Sequence, residues 1–252
     1  MKYFVELSDE RNGLVKKILD RKRFDTEEFV FGNKTVSNGD ALIFSPAKKW
    51  DEKLINELPD EVFVFSGNIS ESFSETLRQK KITHKNYMTD ETFVVKNANL
   101  TAEGLLSLII ESTKKSIFES SILVLGGGRV AKAIAALLNK LNVKTALCEY
   151  NPIKCGGLYF FTNDVIVGEE FVPRLNEFDV IVNSIPAAIL SEEICAKIPL
   201  TAAVIEAASV SCLKCQNAKF KYILAPSLPQ KYCAESAAKL MTEFILKNIP
   251  KL

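Results

Sequence analysis

Short apolar runs alternate with amphipathic stretches along most of the chain, and this alternation predicts strands and helices in regular succession. Before Asn97 the apolar runs are YFVEL, EEFVF, DALIFSP and EVFVFSGN, and between them lie ERNGLVKKILDR, DEKLINEL and SESFSETLRQKK. Runs so short and so rich in Phe, Val, Ile and Leu predict buried strands. Leu14 with Ile18, and Leu54 with Leu58, predict one apolar face on the helices between them. The stretch NANLTAEGLLSLIIESTKKS predicts a helix starting at Asn99 or Thr101, with Leu105, Leu106, Ile109 and Ile110 as its apolar stripe.

A second alternation follows: SILVLGGG, a helix over 129–141 with Ala133, Leu137, Leu138 and Leu141 on one side, VKTALCEY, DVIVG, and a helix near 169–177. DVIVNSIP, SEEICAKI, AAVIEAAS and KYILAPSLP come next, then a last helix from about Tyr232 to Lys247. The pattern predicts an α/β protein with two Rossmann-like, doubly wound parallel sheets. Its divisions are a Rossmann-like or flavodoxin-like domain over 1–96, a linking helix over 97–116, and a dinucleotide-binding Rossmann domain over 117–252 whose C-terminal helix packs back.

Composition narrows the partners. With 252 residues, 47% of them apolar, and a net charge of +1, the chain carries no global field to attract nucleic acid or an anionic membrane, so small molecules are expected. The N-terminus MKYFVELSDERNG lacks a signal-peptide core, and no apolar run approaches the roughly 18 residues of a membrane span, which predicts a cytoplasmic protein. Six scattered cysteines predict reduced thiols.

The candidate chemistry lies in ILVLGGGRVAKAIA. A pyrophosphate needs backbone that can approach it closely and a helix N-terminus whose N–H groups face the anion. Gly126 stands at the tight turn, Gly128 at the close approach, and Ala131 where the helix packs on the strand. The next strand ends in Glu149, 21 positions beyond Gly128, near the offset at which a carboxylate accepts ribose hydroxyls. An acid there repels a 2′-phosphate, so NAD is favoured over NADP. A ligand-free strand-turn-helix bend is the competing reading. Cofactor contacts are expected from Gly126, Gly128, Arg129, Val130, Glu149 and Tyr150. The later strand ends add Ser184, Ile185, Pro186, Ala207 and Ser209. By contrast, VELSDERNG after the first strand offers only Gly13, which argues against a dinucleotide in the first domain.

Other constellations carry less. Cys212 and Cys215 form a C-x-x-C, but a metal site needs two further matched ligands, and no metal is expected. The single histidine, His84, reads as a solvated loop residue, and no G-x-S-x-G elbow is present. No catalytic acid or base emerges.

NANLTAEGLLSLII joined to ILVLGGGRVAKAIA, followed by DVIVNSIPAAIL, VIEAAS and YILAPSLPQKYCAESAA, resembles the family of bacterial dipicolinate synthase A subunits, enzymes of spore formation, in order and spacing over about residues 95–240. That resemblance implies two Rossmann-like domains around a cleft, with a nicotinamide cofactor on the second. It implies oxidation of a cyclic dihydrodipicolinate-type dicarboxylate to dipicolinate in concert with a separate flavoprotein-like B subunit; the sequence leaves the oligomeric state open, a homo-oligomer among the options. By position, Ser66, Gly67, Thr101 and Glu103 would contact substrate. The chain departs from the family where an Arg-Pro-Gly-Gly-like turn is replaced by VSCL at 210–213. Lys48, Lys49, Arg129 and Lys231 then remain as cations for a dicarboxylate, and a catalytically inactive dinucleotide-binding sensor or assembly subunit is the alternative.

Overall fold

The computed structural model describes residues 1–32, 35–216 and 218–250. It divides into two compact units, Met1–Asn97 with Pro229–Leu252, and Ala98–Leu228.

The first unit holds strands β1 (Tyr3–Val5), β2 (Thr26–Glu28), β3 (Ala41–Ile43), β4 (Phe63–Ser66) and β5 (Thr83–Asn86) in the order β2-β1-β3-β4-β5, all parallel. β1 and β3 are buried along their whole length, as expected for a sheet covered on both faces. Helix α1 (Glu10–Arg21) begins on the N-cap Asp9, with an acid in its first turn and a base in its last, as the helix dipole favours. Its core positions are Val15 and Leu19, one step round from the expected Leu14 and Ile18, because Arg11 and Asn12 are drawn inward by polar partners. Short helices α2 (Glu52–Asn56) and α3 (Ser74–Gln79) complete the crossovers.

Helix α4 (Glu91–Ser112) starts well before the expected Asn99 or Thr101, because Asp90 accepts from the Phe93 amide at 2.9 Å and caps it there. Thr101 and Glu103 are therefore mid-helix residues, and the linking helix expected over 97–116 is displaced toward the N-terminus. At 22 residues α4 is long and apolar enough, by length and composition, to cross a membrane, which corrects the expectation that no run approaches that length. The helix escapes a search for unbroken apolar runs because uncharged Asn, Thr, Ser and Gly are interspersed along it. Its Phe93, Ala102, Leu105 and Ile109 are buried in protein.

The second unit contains β6 (Ser121–Leu125), α5 (Arg129–Lys140), β7 (Lys144–Glu149), α6 (Pro152–Cys155), β8 (Asp164–Val167), β9 (Val180–Asn183), α7 (Glu192–Lys197), β10 (Ala203–Glu206) and β11 (Lys221–Leu224). Its parallel strands are ordered β11-β10-β9-β6-β7-β8, the doubly wound Rossmann arrangement with the order reversing between β6 and β9. The core face of α5 is Ala131, Ile134, Ala135 and Leu138, so Leu138 stands as expected while Ala133, Leu137 and Leu141 are only half-buried. The helix expected near 169–177 is a run of 3-10 turns over Gly168–Glu177, with Pro173 withholding an amide donor inside it.

The expected last helix is broken into α8 (Leu228–Tyr232) and α9 (Ala234–Asn248). α9 belongs to the first unit rather than to the second domain: Phe244 meets Tyr87, Phe93 and Phe65 at ring-centroid distances of 4.9, 5.7 and 6.3 Å. Burying that aromatic surface outweighs chain proximity.

Candidate functional site

The carboxyl ends of β6, β7 and β9 converge in the second unit. Gly126 adopts φ +116, a left-handed conformation that favours glycine, and its amide donates to Cys148 O at 2.7 Å. A Cβ at Gly126 would lie 2.4 Å from Ser184 Oγ and 3.2 Å from Ile185 Cγ1, and one at Gly127 would lie 2.5 Å from Glu149 Oε2. Gly126 is required by its backbone conformation, and Gly127 lets the Glu149 carboxylate stand against the turn. Gly128 differs, since a Cβ there would meet no described atom within 4 Å. It is the N-cap of α5, and having no side chain it cannot cap the helix as Asp9 caps α1.

Ser184 donates from both its amide and its hydroxyl to Leu125 O at 2.9 Å, which ties the end of β9 to the end of β6. One carboxylate oxygen of Glu149 accepts from the Asn151 amide at 2.9 Å, and the other stands against Gly127. Gly126, Glu149, Ser184 and Ile185 are thus brought together, with Gly127 as the member that spacing alone did not single out. Arg129 and Val130 open α5, and Tyr150 follows the end of β7 with 37% of its surface exposed. Pro186 and Ser209 are exposed on the loops after β9 and β10, and Ala207 donates its amide to Asn183 O at 2.9 Å.

Behind these loops lies a network that sequence reasoning missed. Glu206, only 3% exposed, accepts from Asn183 Nδ2 at 2.7 Å, the Ala208 amide at 3.0 Å, the Cys212 amide at 2.6 Å and the Tyr222 hydroxyl at 3.2 Å. Burial pushes the Tyr222 phenol up to about 12, so it remains a donor at neutral pH. The sign available in the sequence was an acid and an amide closing otherwise apolar strands.

In the first unit Ser66 is fully buried, donates to Gly67 O at 2.9 Å and meets His84 Nε2 at 2.9 Å. A Cβ at Gly67 would fall 2.0 Å from Pro46 O, so that turn admits only glycine. His84 is therefore not a solvated loop residue: it sits on β5, also within 3.1 Å of Gly67 O, and burial lowers its pKa. Among the candidate cations, Lys48 pairs with Glu6 at 3.0 Å and lies over the Phe31, Phe44 and Trp50 rings. Thr101 and Glu103 lie along α4. Among the described residues no group of three or more His, Cys, Asp or Glu side chains could hold a metal ion.

No family model matches the chain. Over 99% of its length, covering 86% of the relative, it is 24% identical to the dipicolinate synthase A subunit of Bacillus subtilis (strain 168). The crystal structure of the dipicolinate synthase A subunit from Bacillus halodurans superposes with a TM-score of 0.85 at 18% identity, covering 100% of this chain and 98% of that one. In sequence and in fold, the chain is similar to the A subunit of dipicolinate synthase. A Salmonella D-lactate dehydrogenase shares the fold more distantly, with a TM-score of 0.71 at 10% identity over 99% of this chain and 96% of that chain. These solved structures share the doubly wound fold of this chain.

Proposed function

We propose that the chain is a nicotinamide-dependent oxidoreductase of the dipicolinate synthase type, equivalent to that enzyme's A subunit, which oxidises a cyclic dihydrodipicolinate-type dicarboxylate to dipicolinate. The observation that carries this reading is the start of α5: a glycine N-cap with open space around it, beside a glycine cradle and a strand-end carboxylate. Such a terminus presents backbone N–H groups and the positive end of the helix dipole to an anion. The residues fit a dinucleotide, whose nicotinamide ring supplies hydride acceptance when bound. Gly126, Gly128, Arg129 and Val130 receive the pyrophosphate, and Glu149 accepts the ribose hydroxyls, with Tyr150 beside it. Glu149 disfavours a 2′-phosphate, which makes NAD the preferred cofactor.

Ser184, Ile185, Pro186, Ala207 and Ser209 orient the ring, on loops whose shape is fixed by Glu206 and Asn183. The substrate-side residues of this reading are Ser66, Gly67, Thr101 and Glu103. The reading also includes a separate B subunit, since the relative is named as one subunit of its enzyme.

Calorimetry with NAD and NADP, paired with an absorbance assay on the freshly generated cyclic intermediate with and without a B subunit, tests the proposal. We expect NAD to bind more tightly than NADP and to be reduced. Tight binding without turnover in either mixture would leave a dinucleotide-binding sensor, and failure to bind either dinucleotide removes both readings.

A further inference from the structure

The six cysteines are all free, and two of their sulfurs are in contact. Cys195 lies on α7, anchored by the Ser191 cap, and Cys215 lies in the loop between β10 and β11. Their Sγ atoms are 2.7 Å apart, about 0.7 Å longer than a disulfide bond. Both line a cavity of about 330 Å³ whose rim residues Glu192, Gln216 and Lys219 are exposed, with Leu200 69% exposed. A small oxidant can therefore reach the pair from solvent. Cys212, the other half of the C-x-x-C, is fully buried; its amide is held by Glu206 at 2.6 Å, and its thiol lies beside the same carboxylate.

We propose that Cys195 and Cys215 are an oxidative modification site that closes to a reversible disulfide when the protein meets a peroxide, with Cys212 taking no part. The sulfur of Cys215, the more exposed of the two, takes one oxygen as the peroxide O–O bond breaks, giving a sulfenic acid and releasing one water. The Cys195 sulfur then attacks that of Cys215, the S–O bond breaks, and the hydroxyl leaves as a second water with the Cys195 proton. Two thiols and one hydrogen peroxide thus become one disulfide and two waters. Burial and the neighbouring Cys215 push the Cys195 thiol up to about 12, which disfavours its thiolate and leaves the first oxidation to Cys215, while contact between the two sulfurs holds Cys195 in place for the second step. The bond ties α7 to the loop whose shape Glu206 sets.

The sequence makes the test direct, because Lys197 and Lys214 place the three thiols on separate tryptic peptides: 175–197 carries Cys195, 198–214 carries Cys212 and 215–219 carries Cys215. The full chain is treated with hydrogen peroxide, its remaining thiols are alkylated, and its peptides are mapped. The expected result is a link between 175–197 and 215–219, loss of alkylation at both thiols, and reversal by dithiothreitol. Cys195→Ser should abolish the link and leave Cys215 trapped by dimedone as a sulfenic acid. A link to 198–214, complete alkylation of wild-type Cys195 and Cys215 after peroxide, or oxidation of Cys215 to the sulfinic acid without a link would each overturn the proposal. The wild-type map decides even if the variant does not fold.

Discussion

Both units present a place where the strand order reverses and two loops part, yet the two places are finished in opposite ways. In the first unit, between β1 and β3, Asp9 accepts from the Arg11 amide and pairs with the Arg11 guanidinium at 2.6 Å, while Ser45 donates to Asp9 at 2.6 Å and accepts from Arg11 at 3.0 Å. These residues are between 4% and 6% exposed, so the helix N-terminus already holds its anion and that anion its counter-ion. In the second unit, between β6 and β9, the corresponding helix starts on Gly128, which brings no carboxylate of its own. The difference teaches that a shared parallel-sheet architecture does not decide where a phosphate can settle; the residue at the head of the first helix does.

Breaking the plug in the first unit should give the largest effect. Asp9→Ala leaves a buried guanidinium without its partner and should destabilise the protein by about 3–5 kcal/mol, read as a lower urea midpoint. The reciprocal change, Gly128→Asp, gives α5 what Asp9 gives α1: we expect NAD affinity to fall by about a hundredfold or more, with the far-ultraviolet circular dichroism unchanged. Calorimetry showing equal affinity would place the dinucleotide elsewhere.

A smaller change refines the second crevice. Glu149→Ser should narrow the preference for NAD over NADP by about tenfold, measured as a ratio of dissociation constants.

The mildest test uses pH. Burial alone would raise the Asp9 pKa, but hydrogen bonds from Arg11 and Ser45 outweigh it and hold the carboxyl below its ordinary value of 3.8. A depressed acid stabilises the fold above its unfolded pKa and loses that contribution as pH falls through the lower, folded one. Denaturation midpoints of the wild type should therefore drop as the pH falls below about 4, and Asp9→Asn should flatten that acid limb.

Local rules made part of this molecule legible. The β6-turn-α5 unit could be read from Ile122 to Lys140 because a left-handed bend at Gly126 admits little else and the helix behind it has its own apolar face. What escaped depends on partners distant in sequence. Asn99 and Thr101 look like caps, but Asp90 caps α4 first, and nothing between them breaks the helix. His84 gains its burial and hydrogen bonds only through the parallel register of β5 with β4. Glu206 draws partners from three separate segments, and Cys215 finds its sulfur neighbour on α7 rather than three residues away.

Because α9 completes the first unit with residues from the far end of the chain, the order of synthesis and the order of completion are inverted. On the ribosome, everything the second unit needs has emerged while the opening sheet still lacks Phe244 to cover Tyr87 and Phe93. The nascent first unit keeps that aromatic surface uncovered until α9 has emerged.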